Sequence, residues 1–146
     1  MEAHDCSGAD AFESGLVHRR RILGDAWVDR SLDQRTAFNG EFQDLITRHA
    51  WNDIWGRPAP GDRTRRFMVL SMMLATHAYD EFAMHVRAAL DGPPDSRLTP
   101  DDIKEVLLMA AIYCGVPVAN HGFGIATAIL REKGLLQAFA PPSDPV

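Results

Sequence analysis

Two long apolar blocks in the second half of the chain constrain its fold more than any other feature. They read "RTRRFMVLSMMLATHAYDEFAMHVRAAL" over 63–90 and "DDIKEVLLMAAIYCGVPVANHGFGIA" over 101–126. The alternation of apolar and polar residues that marks a half-buried strand occurs nowhere in the chain. The run "FMVLSMMLA" is apolar on every side, which predicts a buried helix. We therefore expect an all-α fold, a single-domain bundle of about six helices.

Glycine, proline and capping residues predict where the helices of the first half begin and end. Gly24 is a natural stop for a first helix that runs from about residue 11 to residue 23. The segment "GDAWVDRSLDQRT" (24–36) is expected to be a loop, and a second helix is expected from Phe38 to near Trp55.

The second half carries clearer boundary signals. Asp62 or Thr64 is expected to cap the helix that contains "FMVLSMMLA". Thr99 and Pro100 mark the start of a later helix, and Pro117 begins the last helix, which reaches Lys133-Gly134. The folded domain is thus expected over 11–134, between a disordered N-terminus (1–10) and a flexible tail (135–146).

Composition narrows the range of functions. The 146 residues carry a net charge of −5 with 46% hydrophobic and 24% charged residues, as in an ordinary soluble protein. An acidic balance argues against a nucleic-acid partner, and no apolar run reaches the ~20 residues of a membrane span. The N-terminus lacks the basic and apolar regions of a signal peptide, so a cytoplasmic protein without a membrane partner is expected. Cys6 and Cys114 do not suggest a disulfide framework.

Ionisable side chains set into the first block are candidates for chemistry. His77, Glu81 and His85 are spaced i, i+4 and i+8, which predicts one line along a helix face. Such groups are costly in an apolar helix unless they are paired or used. The outer two imidazoles would lie ~12 Å apart along the axis, too far to share a metal ion. A structural His–Glu pair is the alternative to a functional one.

The second block and the arginines add candidates for binding an anion. Asn120 and His121 lie just inside the last helix, whose N-terminus favours negative charge, although a local cap and a core histidine would explain them too. Arg87 offers a bidentate carboxylate contact or lies on a solvated face. The cluster Arg63, Arg65 and Arg66 is suited to a small carboxylate or phosphate, whereas the run 19–21 is expected on a solvated face.

Several segments resemble the carboxymuconolactone decarboxylase family. They are "RRRILGDAWVDRSL", "EFQDLITRHAWNDIWGRP", "RTRRFMVL", "EFAMHVRAAL" and "IKEVLLMAAIYCGVPVANHGF", and together they cover roughly residues 15 to 132. The resemblance implies an alkylhydroperoxidase D-like helical fold and a homo-oligomer, with a hexamer expected. It also implies decarboxylation of 4-carboxymuconolactone to 4-oxoadipate enol-lactone in protocatechuate breakdown (the β-ketoadipate pathway), without a metal or other cofactor.

The resemblance suggests roles for the candidate residues. His85 is at the position of the superfamily's relay histidine and is expected to be catalytic as a proton donor or enolate stabiliser, with Glu81 orienting it or moving the proton. His121, Asn120, Arg87 and Tyr79 are expected to bind the substrate.

The thiol peroxidases of the superfamily carry C-x-x-C-x-x-x-H on this helix. Aligning that histidine on His85 puts Ala78 and Glu81 at the cysteine positions, which argues against a peroxidase because disulfide exchange needs two thiols.

Departures from the family pattern keep two alternatives open. "HAYDEFAMH" replaces a segment that resembles "GHWEELAMH", Gly122 interrupts the family's "ANHAF", and the loop over 91–100 is long. These differences are compatible with a related enzyme that acts on another small carboxylated or lactone substrate. A non-catalytic helical oligomerisation module is the second alternative.

Overall fold

The computed structural model describes residues 6–140, and within that range the chain is entirely helical and irregular, with no strand. This confirms the all-α prediction. The helices are α1 (Cys6–Leu23), α2 (Asp25–Asp33), α3 (Gly40–Ile46), a π-helical segment (Thr47–Asn52), α4 (Asp62–Ala75), α5 (Tyr79–Asp91), α6 (Pro100–Tyr113) and α7 (Val116–Glu132). None of them is both long and apolar enough to cross a membrane.

The N-terminal third is more helical than predicted. The expected loop over 24–36 is wrong, because Asp25–Asp33 forms α2, and Gly24 takes a φ of +86° that lets the chain turn directly from α1 into it. Only Val28 of α2 is buried, and the loop was expected because the segment carries Asp25, Asp29 and Asp33, a residue type that favours turns. The first helix begins at Cys6 rather than near residue 11. The disorder expected over 1–10 stays a prediction, and residues 1–5 and 141–146 lie outside the described residues.

The helix predicted from 38 to about 55 is present as α3 followed by the π-helical segment. This segment packs tightly on α1 at Gly15, where a side chain would clash with the carbonyl of Thr47. Trp51 and Trp55 stack with ring centroids 5.4 Å apart and form a small second core with Ile22 of α1.

The main core lies between α4, α5, α6 and α7. Its fully buried members include Leu70, Leu74, Phe82, Val86, Ile103 and Leu107. The prediction that α4 is buried on every side is wrong for the single chain, because Met68 and Met72 are 43% and 54% exposed. The helix packs only one face on the core and leaves a methionine-bearing face outside. It begins after Gly61, without a capping side chain from Asp62 or Thr64.

A sharp break separates α4 from α5. His77 takes a left-handed φ of +57°, its N–H donates to the carbonyl of Leu74, and the N–H of Ala78 donates to the carbonyl of Met73. This is the hydrogen-bond pattern that ends a helix at a left-handed residue, usually a glycine. His77 therefore does not share a helix face with Glu81 and His85, and the predicted line of three is wrong.

The boundaries of α6 and α7 follow the sequence signals. The Thr99 side chain accepts from the backbone N–H of Asp102, and the Asp102 carboxylate accepts from the backbone N–H of Thr99, so the start of α6 carries a complete capping box. Gly115, with a φ of +103°, redirects the chain into α7, which has Pro117 in its first turn.

Candidate active site

His85 lies on the side of α5 that faces α4. Its imidazole is mostly buried, and this burial, followed by the positive charge of Arg66, lowers the pKa of His85 from 6.5 to about 4. Of the two roles expected for His85, this lowered pKa favours the enolate stabiliser over the proton donor. At neutral pH His85 is an uncharged imidazole, which can donate one N–H hydrogen bond and accept another but is a weak source of protons.

Glu81 lies one turn before His85 and is exposed. Among the hydrogen bonds and ion pairs of the described residues, none joins the two side chains, so neither the predicted catalytic pair nor the alternative structural pair is formed in this chain. The carboxylate lies in the first turn of α5, where the helix dipole favours a negative charge.

Arg66 is the charged neighbour of His85, and it is almost fully buried, with 2% of its surface exposed. Its Nη1 donates to the carbonyl oxygen of Ile22 at 3.2 Å, whereas its buried Nε and Nη2 have no protein acceptor. The Nη2 end lies against Gly92, where the Cβ atom of any larger residue would come within 2.5 Å of it. The sequence predicted an anion-binding role for Arg63, Arg65 and Arg66 together and did not distinguish Arg66 from the other two.

Two further histidines, His77 and His121, lie around Tyr79 at the start of α5. Tyr79 stacks on His121 of α7 with ring centroids 3.8 Å apart, and His77 stacks on Tyr79 at 5.8 Å. Tyr79 and His85 are six residues apart, which separates their side chains by about 120° around the helix axis. The predicted residues therefore form two groups, His85 with Arg66 and Tyr79 with His121. Asn120, at the start of α7, is exposed beside the second group.

Arg87 is already paired in this structure. Its Nη1 donates to the carboxylate of Glu132 on α7 at 2.6 Å, and both side chains are about half exposed. Arg87 also lines a cavity of about 640 Å³ that is bounded by α1, α2, α5 and the loop after α5.

This cavity, here called the arginine cleft, combines positive and apolar groups. Its lining includes Arg20, Arg21, Arg30, Arg87 and Arg97. Ile22 and Gly92, the two residues that contact the guanidinium of Arg66, also form part of its wall. The buried guanidinium therefore lies directly behind the cleft wall.

The arginine run on α1 is less solvated than predicted. Arg19 is buried and donates to Ser31 at 2.8 Å and to Gln43 at 3.3 Å, so the solvated-face prediction is wrong for this residue. Arg20 and Arg21 are half-buried, and Arg21 donates from Nε to the carboxylate of Asp62 at 2.8 Å. These pairs tie α1 to α2, α3 and α4 and so frame the cleft.

The described residues contain no group of three or more His, Cys, Asp or Glu side chains arranged to hold a metal ion. Cys114 is a free, half-buried thiol that packs at the edge of the main core. The ionisable groups around His85 are its own imidazole, the guanidinium of Arg66 and, one turn away on α5, the carboxylate of Glu81.

An uncharged imidazole and a buried guanidinium, held in one all-α protein, can donate hydrogen bonds to a small anion and offset its negative charge. A family model described as the carboxymuconolactone decarboxylase family matches residues 40–128. The 4-carboxymuconolactone decarboxylase of Acinetobacter baylyi is 33% identical over 124 residues, which is 85% of this chain and 90% of that protein.

Two further relatives extend the comparison. The nitrosuccinic acid decarboxylase of Metarhizium robertsii is 33% identical over 106 residues, covering 73% of this chain and 71% of that protein. A 4-carboxymuconolactone decarboxylase of Pseudomonas putida is 55% identical over 42 residues, covering 29% of this chain and 88% of that protein. No solved structure matches the chain.

The chain belongs to the carboxymuconolactone decarboxylase family, whose fold is all-α and alkylhydroperoxidase-like. It is an enzyme of the carboxy-lyase kind, as its relatives are named decarboxylases.

Proposed function

We propose that the chain removes CO2, without a cofactor, from a small dicarboxylic acid that carries its own electron sink. The leading substrate is 4-carboxymuconolactone and the product is 4-oxoadipate enol-lactone. The match to the Acinetobacter enzyme, which extends over 85% of the chain, is the observation that carries this proposal. The activity would belong to protocatechuate breakdown by the β-ketoadipate pathway, in the cytoplasm.

The substrate supplies the electronic part of the mechanism. The bond between the ring carbon and its carboxylate breaks, CO2 leaves, and the electron pair moves through the conjugated double bond to the lactone carbonyl oxygen. A proton then adds to ring carbon to give the product. The protein must anchor a dianion, stabilise the oxygen on which charge develops, and deliver a proton.

His85 is the group we assign to the developing oxygen. An uncharged imidazole donates a hydrogen bond without first losing a proton to the substrate, and its buried setting strengthens that bond. Glu81, which is exposed and one turn away, is assigned to proton delivery. Both assignments extend the sequence predictions, with the role of His85 changed from acid to hydrogen-bond donor.

We assign the second group of residues to substrate binding at a site that a neighbouring subunit completes. Tyr79, His121 and Asn120 lie away from His85 in a single chain, and exposed apolar side chains follow one another from α6 into the start of α7. These are Leu108, Met109, Ile112, Tyr113 and Val116. An apolar surface of this kind is typical of a subunit interface. We therefore retain the expectation of a homo-oligomer, with a hexamer expected, which light scattering after size-exclusion chromatography measures directly.

The decisive assay is turnover of 4-carboxymuconolactone by the pure protein in the presence of EDTA, with CO2 and the enol-lactone both quantified. We expect stoichiometric release of the two products, and a loss of about 100-fold or more in kcat for His85→Ala because one oxyanion donor is removed. Absence of turnover, or turnover that requires an added metal ion, would contradict the proposal.

Nitrosuccinic acid is the second candidate substrate. The Metarhizium relative is as similar to this chain, at 33% identity, as the Acinetobacter enzyme. Nitrosuccinate also has two carboxylates, and its nitro group can accept the electrons left by CO2. Comparison of kcat/KM for the two acids decides between them, because a chain recruited to the nitro compound would turn over carboxymuconolactone poorly.

A further inference from the structure

Several arginines have a buried nitrogen without a hydrogen-bond acceptor, and Arg66 differs from the others in which of its nitrogens lack one. Arg19, Arg48 and Arg65 each leave only a buried Nε without a protein acceptor, whereas Arg66 leaves both Nε and Nη2. The Nε–H and Nη2–H bonds point in the same direction from one edge of the guanidinium plane. That edge matches the two oxygens of a carboxylate in the bidentate arrangement that arginine favours.

The surroundings of Arg66 hold this edge in place, and the carboxylates of Asp62 and Asp95 act on it through their charge without accepting a hydrogen bond from it. Nη1 is fixed by the carbonyl of Ile22, and the absence of a side chain at Gly92 allows the guanidinium to lie there. Asp62, one turn earlier on α4, is bound to Arg21 rather than to Arg66. A buried guanidinium whose donors lack acceptors destabilises a fold. Its presence at this position therefore suggests that these donors bind a ligand.

We propose that the free edge of Arg66 is a carboxylate-binding site that anchors the substrate beside His85. This inference rests on the proposed function and adds a specificity-determining residue to it. Arg66 acts on the imidazole of His85 through its charge, and its guanidinium contacts Ile22 and Gly92 of the cleft wall. Nε and Nη2 have almost no accessible surface in this structure, so a carboxylate reaches them from the cleft only when the wall at Gly92 moves aside.

The chemistry of CO2 loss identifies which carboxylate Arg66 holds. A departing carboxylate becomes neutral CO2, so a strong ion pair to it would stabilise the starting state and slow the reaction. The carboxylate that stays on the product keeps its charge throughout. Arg66 therefore binds the retained carboxylate, which makes the enzyme selective for dicarboxylic over monocarboxylic substrates.

The test measures anion binding separately from turnover. Succinate is nitrosuccinate without the nitro group, and it has no electron sink, so it binds without reacting. Calorimetric titration with succinate is expected to give a Kd about 100-fold weaker for Arg66→Met and about 10-fold weaker for Arg66→Lys than for the unmodified protein, because charged bidentate hydrogen bonds are lost wholly or in part. Arg63→Met is the matched control, since Arg63 lies on the same helix but is exposed and bound to Asp102.

A second variant covers the case in which Arg66→Met fails to fold. Gly92→Ala keeps the charge of Arg66 but displaces its guanidinium, and it too is expected to weaken succinate binding by at least 10-fold. Unchanged succinate binding in Arg66→Met or in folded Gly92→Ala, or no measurable binding to the unmodified protein, would overturn the inference.

Turnover assays distinguish this failure from failure of the proposed function. If the unmodified protein binds succinate through Arg66 but decarboxylates neither candidate acid, the proposed function is wrong and the anion site stands. If Arg66→Met decarboxylates a dicarboxylic acid with unchanged KM, the anion site is wrong and the proposed function stands.

Discussion

Acidification should destabilise this protein through His85 over a defined range of pH. The pKa of His85 is lowered to about 4 by burial and then by the charge of Arg66, whereas the unfolded chain titrates near 6.5. Between pH 6.5 and pH 4, His85 is protonated in the unfolded state but remains mostly unprotonated in the folded state. The free energy of unfolding therefore falls as the pH drops over this range. Above 6.5 the imidazole is uncharged in both states and contributes no pH dependence.

The size of the effect follows from the two pKa values. A tenfold change in a protonation constant corresponds to about 1.4 kcal/mol, so a pKa of about 4 in place of 6.5 corresponds to about 3 kcal/mol of stability lost by pH 4. For an ordinary domain this is a large part of the total.

Urea unfolding followed by circular dichroism between pH 8 and pH 4, at fixed protein concentration, measures this loss. His85→Gln serves as the reference, because the other groups with lowered pKa values, among them His18 and Asp53, titrate in both proteins. The difference between the two stability curves should approach about 3 kcal/mol at pH 4. Parallel curves, or an NMR titration of His85 with a midpoint near 6.5, would refute the reasoning.

Three further predictions concern packing and capping. Gly122→Val should destabilise the fold by about 1–3 kcal/mol, because a side chain there meets buried core atoms at 2.5 Å, whereas Gly124→Val on the same helix faces open space and should change stability by less than about 0.5 kcal/mol; thermal unfolding compares them. Thr99→Ala should cost about 1 kcal/mol by removing the N-terminal cap of α6, visible as a lower Tm, and an unchanged Tm would contradict this. A double-mutant cycle with Tyr79→Leu and His121→Ala should give a coupling free energy of about 0.5–1.5 kcal/mol from their stacked rings, and additive effects would contradict a stacking contribution.

Local signals explain why some elements were predictable from the sequence. The start of α6 depends on Thr99, Pro100 and Asp102, which are neighbours in the chain and act through short-range hydrogen bonds. By contrast, α2 has only nine residues, three of them aspartates, and buries only Val28, so its helical state depends on packing against α1. The break at His77 was missed because a left-handed residue that is not glycine leaves no sequence mark.

The residues of the candidate site also differ in how far the sequence alone could identify them. His85 was identifiable because an ionisable residue in an apolar helix stands out. The distinct position of Arg66 was not, since three arginines within four residues look alike until the fold brings one of them to Ile22, 44 positions earlier in the chain. The separation of Tyr79 from His85 likewise depends on which neighbouring helix each side of α5 faces.

The closeness of Arg66 to His85 ties anion uptake to acidity. A carboxylate bound at the proposed site would offset the charge of Arg66, which after burial is the second cause of the lowered pKa of His85, and would so raise that pKa. Filling the site is then accompanied by proton uptake from the buffer, and by reciprocity a more acidic medium tightens the hold on the anion. The heat of mixing would accordingly vary with the ionisation enthalpy of the buffer, a signature of two ligands, proton and carboxylate, that favour each other's binding.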